Sequence, residues 1–458
     1  MYQLAVIGAG PGGYEAAIRA AQLGLRVALI EKDALGGTCL NRGCIPTKAL
    51  LHTAEVYRAV KEGAALGVCA KEISLDERAM FARKDEVVRG LRAGIAQLVR
   101  ANRIDLYEGE GRIERAGCVA VNGSTVEAER ILVATGSVPA MPPIEGIDLC
   151  ITSDDLLDGG NLPQRLAIIG GGVIGVEFAT LLTGLERGVA VIEAMDRLLP
   201  ALDREFGQSV AMNLKRDGAQ VFTGARVSRV SRAQDGLCVE FETRGGPASC
   251  TADAVLCAVG RRANTGGLFG AHVQVEMERG RIRVDERFET SVPGIYAVGD
   301  VTGGVQLAHA ASAQGIACVE GIAGISSGLR LDLIPSCVYT DPEIASVGLT
   351  ADEAKARGMA VRTGKALMGA NGRTQIAGGA RGFVKVVVDA KSDALLGAQL
   401  MCGRATDIVG ELNAAIATGL TRAQLLRAVR AHPTFEEAVT EALEAVEGRA
   451  IHAAPARR

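Results

Sequence analysis

The chain has 458 residues and nearly balanced charge, 50 basic against 53 acidic side chains for a formal net charge of −3. Such a balance gives no electrostatic reason to expect nucleic acid or an anionic membrane as a partner, and the length suits about three domains. No apolar run approaches the roughly 20 residues that span a bilayer, and the opening strand lacks the basic-then-apolar pattern of a signal peptide.

Residues 3–33 read as a strand (QLAVIG), a Gly-rich turn, a helix (GYEAAIRAAQLG) and a second strand (RVALIEKD). Gly8, Gly10 and Gly13 fill the turn, and Glu31 closes the second strand. In a chain with 58 glycines the G-x-G-x-x-G string alone carries little; the strand before, the helix after and the acid about 20 residues on make it a dinucleotide site. Gly8 permits the tight turn, Gly10 lets backbone approach a pyrophosphate, and Gly13 lets helix and strand pack closely. Glu31 is placed to accept hydrogen bonds from ribose hydroxyls.

Residues 36–48 read GGTCLNRGCIPTK, a turn-like run that Pro46 converts into a helix start. Cys44 then lies at or just before a helix N-terminus, where exposed N–H groups stabilise a thiolate. Cys39 and Cys44 fit dithiol–disulfide exchange, a packing pair, or half of a metal site, although no second ligand pair is visible downstream. The other nine cysteines are isolated in mostly Ala/Val-rich surroundings, as in a reducing compartment, so the protein is expected to be cytoplasmic.

The opening unit recurs at LAIIGGGVIGVEFATLLTGLERGVAVIEAMD. Gly170, Gly172, Gly175 and Glu193 each lie 162 residues beyond their counterparts, and Glu177 repeats Glu15. Two copies in register predict two bound dinucleotides, one per domain. Each half also has a later strand ending in Gly, ILVATGS (131–137) and AVLCAVGR (254–261), with a Pro-rich crossing, MPPIEGID, between them. A strand and turn, GIYAVGDVTGG, puts Asp300 beside a helix start, suiting either a ribose or polyol contact or an ordinary N-cap. From Ile334 the pattern becomes α+β, with strands in IPSCVYTDPEIASVGL, GRTQIAGGARGFVKVVVD and ALLGAQLMC. Helices are expected over TDIVGELNAAIATG, TRAQLLRAVR and EEAVTEALEAVE.

A dithiol between two dinucleotide sites makes an electron relay, which a flavin and a nicotinamide would serve, with the flavin in the first site. Thiol exchange also needs an acid–base group. Of five histidines (His52, His272, His309, His432 and His452), His432 lies in AHPTFEEAV, where Glu437 can fix the imidazole tautomer.

The motifs GAGPGGYEAA, GGTCLNRGCIPTKALL, ATGS, GGGVIGVE, AVGRRANT, YAVGDV, VYTDPEIASVGLT and AHPTFEEA run nearly end to end. Through them the chain resembles the flavoprotein disulfide reductases, most closely the dihydrolipoyl dehydrogenases. The resemblance implies an α/β fold of two Rossmann-like dinucleotide-binding domains, for FAD and NAD, plus a C-terminal α+β dimerisation domain. Residues 1–147 and 267–333 would form the FAD and central part, 148–266 the NAD domain and 334–458 the interface domain. Cys39 would meet lipoamide and Cys44 the flavin. His432 and Glu437 would serve the thiols of a partner subunit in an obligatory homodimer, with lipoyl domains of 2-oxo-acid dehydrogenase or glycine-cleavage complexes as partners.

The same resemblance places Gly8, Gly10, Gly13, Glu31, Lys48, Gly111, Thr135, Gly136, Ser137, Asp300 and Ala308 at FAD. It places Gly170, Gly172, Gly175, Glu177, Glu193, Val227 and Gly260 at NAD. The expected reaction oxidises dihydrolipoamide and reduces NAD. Alternatives are an NAD(P)H-dependent reductase of another disulfide, a structural core subunit, or an NADH oxidase, which normally works with a single redox cysteine. Glu193, with Ala194 and Pro200 where NADP-dependent relatives carry arginines, favours NAD. The tail HAAPARR holds no cysteine, unlike reductases with an extra C-terminal redox pair. Two positions depart from the family pattern: Arg42, whose charge is expected to favour thiolate, and Arg430, where a histidine is common.

Overall fold

The computed structural model describes residues 1–379 and 381–454; the last four residues of the tail lie outside the described residues. A first sheet is built around the parallel strands Asp105–Glu108, Val27–Glu31, Tyr2–Ile7 and Ser124–Val133, and Ile295–Ala297 returns late in the chain to pair with the last of these. Leu4, Ala5, Val6 and Ile7 are all buried, as a parallel strand covered on both faces must be. The helices Pro11–Gln22 and Ala308–Ile322 pack together through small residues: a Cβ on Gly315 would stand 2.4 Å from the carbonyl oxygen of Gly12.

A second parallel sheet orders Gln220–Thr223, Gly188–Glu193, Arg165–Ile169 and Ala254–Cys257, with an antiparallel three-stranded sheet over Arg226–Ala252 beside it. Its helix Val173–Gly184 is apolar on nearly every side because it is covered on nearly every side, including by the helix Cys44–Glu62. The third region is a five-stranded antiparallel sheet, ordered Ser336–Val338, Ile344–Gly348, Leu395–Met401, Phe383–Asp389 and Val361–Leu367, with helices Ala405–Ala417 and Glu437–Ala445 packed on it. Lys385 ties this sheet to the second region through Asp203 (2.6 Å) and Glu205 (2.9 Å). Among the described residues no helix is long and apolar enough to cross a membrane.

Three local expectations change. GRTQI is a short helix, Gly372–Ile376, because the Asn371 side chain accepts from the Thr374 N–H (2.9 Å) and caps it. The helix expected over 421–430 stops at Leu425, where Arg427 N–H to Gln424 O and Ala428 N–H to Leu425 O close the segment as a tighter turn. Cys39 sits on a short helix of its own, Gly37–Arg42, rather than in a turn, and Pro46 is the third residue of the next helix, which begins at Cys44. The longest helix, Glu77–Ala101, has no counterpart in the sequence reading.

Candidate active site

The two Gly loops are built alike. Gly8 and Gly170 have φ of +99° and +111°, and a Cβ on either would stand about 2.5 Å from a carbonyl oxygen, 2.4 Å from Ala134 and 2.5 Å from Ala258. Gly13 and Gly175 are closer still, 1.9 and 2.0 Å from the carbonyl oxygens of Gly8 and Gly170. These four glycines are required by the fold itself. Gly10 and Gly172 differ: their backbones are extended, and a Cβ would meet nothing nearer than 3.9 Å at Gly10 and nothing within 4 Å at Gly172. Both also cap their helices with no side chain, leaving first-turn N–H groups open. Space and donors are therefore kept for something the protein does not itself contain, and an anion at a helix N-terminus fits both.

Glu31 and Glu193 end the second strand of each unit. One oxygen of each accepts from its own Gly loop, Ala9 N–H at 2.6 Å and Gly171 N–H at 2.5 Å. The other accepts from the backbone two residues on, at Asp33 (2.9 Å) and Met195 (2.6 Å). Each carboxylate is thus oriented while keeping lone pairs for further donors.

The dithiol segment is docked on the first Gly loop. Gly36 donates its N–H to Ala9 O (2.8 Å), and Gly37, at φ +58°, approaches so closely that a Cβ would stand 2.6 Å from Gly10 Cα. Asn41, between the cysteines on that short helix, donates to Leu35 O and Gly37 O and ties the helix to the segment before Cys39. Cys39 and Cys44 are both half-buried free thiols. Cys44, the first residue of a 19-residue helix, has its pKa brought down to about 7. The main cause is a hydrogen bond donated by the Cys39 thiol. Burial opposes the shift, the Lys48 ammonium adds to it, and Glu177 opposes it. Cys39 moves the other way, chiefly because it donates that bond and then because it is buried. The pair holds one proton on Cys39 and leaves the thiolate on Cys44.

Lys48, one turn into the same helix, pairs with the buried Glu177 of the second unit at 2.7 Å. The other Glu177 oxygen accepts the Tyr339 N–H (3.1 Å), and the Lys48 ammonium lies 4.5 Å from the Tyr339 ring centre. One ion pair thereby joins elements of all three regions beside the thiols.

The histidine side is separate. His432 Nδ1 and Glu437 Oε1 are 2.8 Å apart, on an exposed loop and at the first position of the following helix. Glu437 is held below the usual carboxylate range, first by the Thr434 N–H (2.9 Å). Neither His432 nor Glu437 lines the cleft that contains this chain's own cysteines.

Sequence comparison gives these parts a common origin. The family described as pyridine nucleotide-disulphide oxidoreductase matches residues 2–315, and its dimerisation domain matches residues 334–443. The chain belongs to this family. It is 41% identical to a dihydrolipoyl dehydrogenase of Bacillus subtilis (98% of this chain, 99% of that protein) and 41% identical to one of Thermus scotoductus (98% of each). Among solved structures it is similar to the HOCl-induced flavoprotein disulfide reductase RclA of Escherichia coli, with a TM-score of 0.85 and 30% identity over 97% of this chain and 99% of that one.

The cleft of this pyridine nucleotide-disulphide oxidoreductase encloses about 710 Å³ and brings together every position expected at FAD except Gly13, which lies beneath the loop. Gly8, Gly10, Glu31, Lys48, Gly111, Thr135, Gly136, Ser137, Asp300 and Ala308 all line it, together with both cysteines. Asp300 accepts from Ser137 Oγ (2.5 Å) in a short helical turn, Gly299–Thr302. Together with the open space at Gly10, this donor set fits FAD.

Of the NAD positions only Glu177 reaches this cleft. Gly170, Gly172 and Gly175 form the second loop, Gly260 (φ +129°) follows the last strand of the second sheet, and Val227 is buried in the core beside it. Open space at Gly172 and the oriented Glu193 fit a nicotinamide dinucleotide there. Arg197, beyond the strand end, donates to the Pro200 carbonyl (3.0 Å).

Arg42 does not act as expected. Its guanidinium bonds Asp33 and Asp158 (3.3 Å), and the cation that favours the Cys44 thiolate is Lys48. Two lining residues escaped the sequence reading. Arg261 donates to Ser137 Oγ (2.8 Å) and Ser137 O (2.7 Å), and Tyr339 meets Lys48 and Glu177. AVGRRANT contains the first, but which of its two arginines turns inward is decided by the pairing of Arg261–Ala263 with Ser137–Pro139.

Proposed function

We propose that this protein oxidises protein-bound dihydrolipoamide to lipoamide through a Cys39–Cys44 disulfide, reducing NAD to NADH, as a dihydrolipoyl dehydrogenase does. The observation that carries the reading is the asymmetric thiol pair, with its thiolate assigned to Cys44 by Cys39 and Lys48 in a cleft shared by both dinucleotide-binding units. Its cofactors are FAD and NAD, which when bound supply an electron-pair acceptor for the dithiol and the final hydride acceptor.

Starting from the Cys39–Cys44 disulfide, one substrate thiolate attacks Cys39 Sγ, and Cys44 leaves as a thiolate that Lys48 and the helix N-terminus stabilise. His432 takes the proton of the second substrate thiol, held in the correct tautomer by Glu437. That second sulfur attacks the first, Cys39 is released, and cyclic lipoamide departs. The substrate has lost two electrons and the enzyme has gained a dithiol. Because His432 lies outside the cleft of its own chain, it acts on the thiols of a second copy, which the dimerisation domain supports.

The wider assignment follows the same reading: 1–147 with 267–333 for FAD, 148–266 for NAD, 334–458 for the subunit interface. Lipoyl domains of 2-oxo-acid dehydrogenase or glycine-cleavage complexes are the proposed partners. A reducing cytoplasm suits the packed thiols of Cys118, Cys257, Cys318 and Cys402. Incubating the flavin-loaded protein with dihydrolipoamide and NAD tests the assignment. Brisk NADH formation is expected; no NADH, together with rapid NADPH-dependent reduction of another disulfide, would overturn it.

A further inference from the structure

Leu426 and Phe435 pack the two ends of the loop that carries His432 against the core of the third region, but the stretch between them is not held by burial. Val429 is 98% exposed, and His432 itself is 77% exposed along its side chain. Polar bonds hold it instead. On the C-terminal side, Thr434 donates its N–H to Glu437 and its hydroxyl to Ala431 O (2.8 Å), and Asn371 donates to Thr434 O (2.9 Å). On the N-terminal side the tie is Arg430, whose side chain is only 5% exposed. One terminal nitrogen donates to Thr440 Oγ1 (2.9 Å) and the other to Glu411 on the helix Ala405–Ala417.

Thr440 lies three residues after Glu437 on one helix, so the two share a face. The chain entering His432 is therefore bonded to the same helix that presents the histidine's carboxylate. Among the described residues the buried Arg430 Nε has no acceptor, which costs polar free energy. An apolar side chain of similar length would fill the space without that cost, so packing alone does not account for an arginine.

We infer that Arg430 is a positioning residue for the proposed reaction: by clamping the loop to the helices that bear Glu411 and Thr440, it fixes His432 against Glu437. The inference rests on His432 being the acid–base group of the proposed function.

The test uses flavin-loaded R430M, T440V, R430M/T440V and H432Q, assayed two ways. In R430M, kcat for NADH formation from dihydrolipoamide should fall on the order of tenfold with KM unchanged, and in T440V about threefold, as expected when a reacting group is misplaced by part of an ångström. The double variant should be no worse than R430M, because Thr440 acts through Arg430. Reduction of ferricyanide by NADH, which needs no thiol exchange, should be unchanged in R430M, T440V and R430M/T440V. Unaltered kcat in R430M beside a crippled H432Q would overturn the inference and leave the proposed function standing. A parallel fall in both assays would reduce Arg430 to a fold-maintaining role. Full turnover in H432Q would remove the proposed acid–base group and the inference with it.

Discussion

The thiol cleft and the His432 loop, the two halves of the proposed chemistry, are held by different means. The thiols sit on helices pressed against a Gly loop, where close backbone contacts at Gly8, Gly13 and Gly37 leave no freedom. His432 stands in solvent on a loop fixed by side-chain hydrogen bonds. The difference teaches where each half finds its environment. The thiol pair is tuned within one chain, by Cys39, Lys48 and Glu177, whereas the histidine has its carboxylate within the chain but, in the proposed function, meets the thiols of a second copy.

The sharpest break in that comparison is on the enclosed side. Cys44→Ser should abolish NADH formation from dihydrolipoamide, since no disulfide can form, while NADH-driven ferricyanide reduction persists. His432→Gln should lower kcat by roughly 10² to 10⁴, the range of a lost general acid–base group, without affecting ferricyanide reduction.

Glu177→Gln probes the tuning. It leaves the Lys48 ammonium without its carboxylate and should destabilise the fold by about 2 kcal/mol in a denaturant titration, a buried-pair loss discounted because Lys48 is partly exposed. In the reduced wild-type protein the Cys44 thiolate is lost as pH falls through about 7, so its alkylation rate should drop below that pH. Glu177 pushes that pKa up, so Glu177→Gln should move the midpoint lower; a midpoint near 9 in wild type would contradict the thiolate assignment.

The smallest expected effect, at Gly172, separates glycines by purpose. Gly172→Ala should keep the thermal midpoint and weaken NAD binding, read by fluorescence titration, because its Cβ enters space that the fold leaves open. Gly8→Ala should instead unfold the protein, its Cβ meeting Ala134 O at 2.4 Å with φ at +99°.

Much of this was legible in the sequence where local pattern and global packing agree. The two Gly loops, their closing acids and the Cys39–Cys44 spacing are short-range features, and the helix at Cys44 follows its Pro and its apolar period. What stayed hidden was set by distant partners. Asn371 turns GRTQI into a helix where alternation read as strand. Arg42 lies next to the thiols in sequence, yet Asp33 and Asp158 take its charge, leaving Lys48 to stabilise the thiolate. Tyr339 reaches Lys48 across 291 positions, a contact no periodicity announces. The long helix Glu77–Ala101 was unread because, with Gly90 and Gly94 inside it and exposed Leu91 and Leu98, its apolar stripe is interrupted.

The central claim is that one chain's thiols work with another chain's His432. Subunits carrying Cys44→Ser and subunits carrying His432→Gln, each inactive alone, can be dissociated, mixed in equal amounts and reassembled. Half the random dimers then contain one site with intact thiols facing an intact histidine. Dihydrolipoamide-dependent NADH formation should return to about a quarter of the wild-type rate, as isologous pairing requires. Mixtures that stay as inactive as their parents, although mixed dimers have formed, would contradict it.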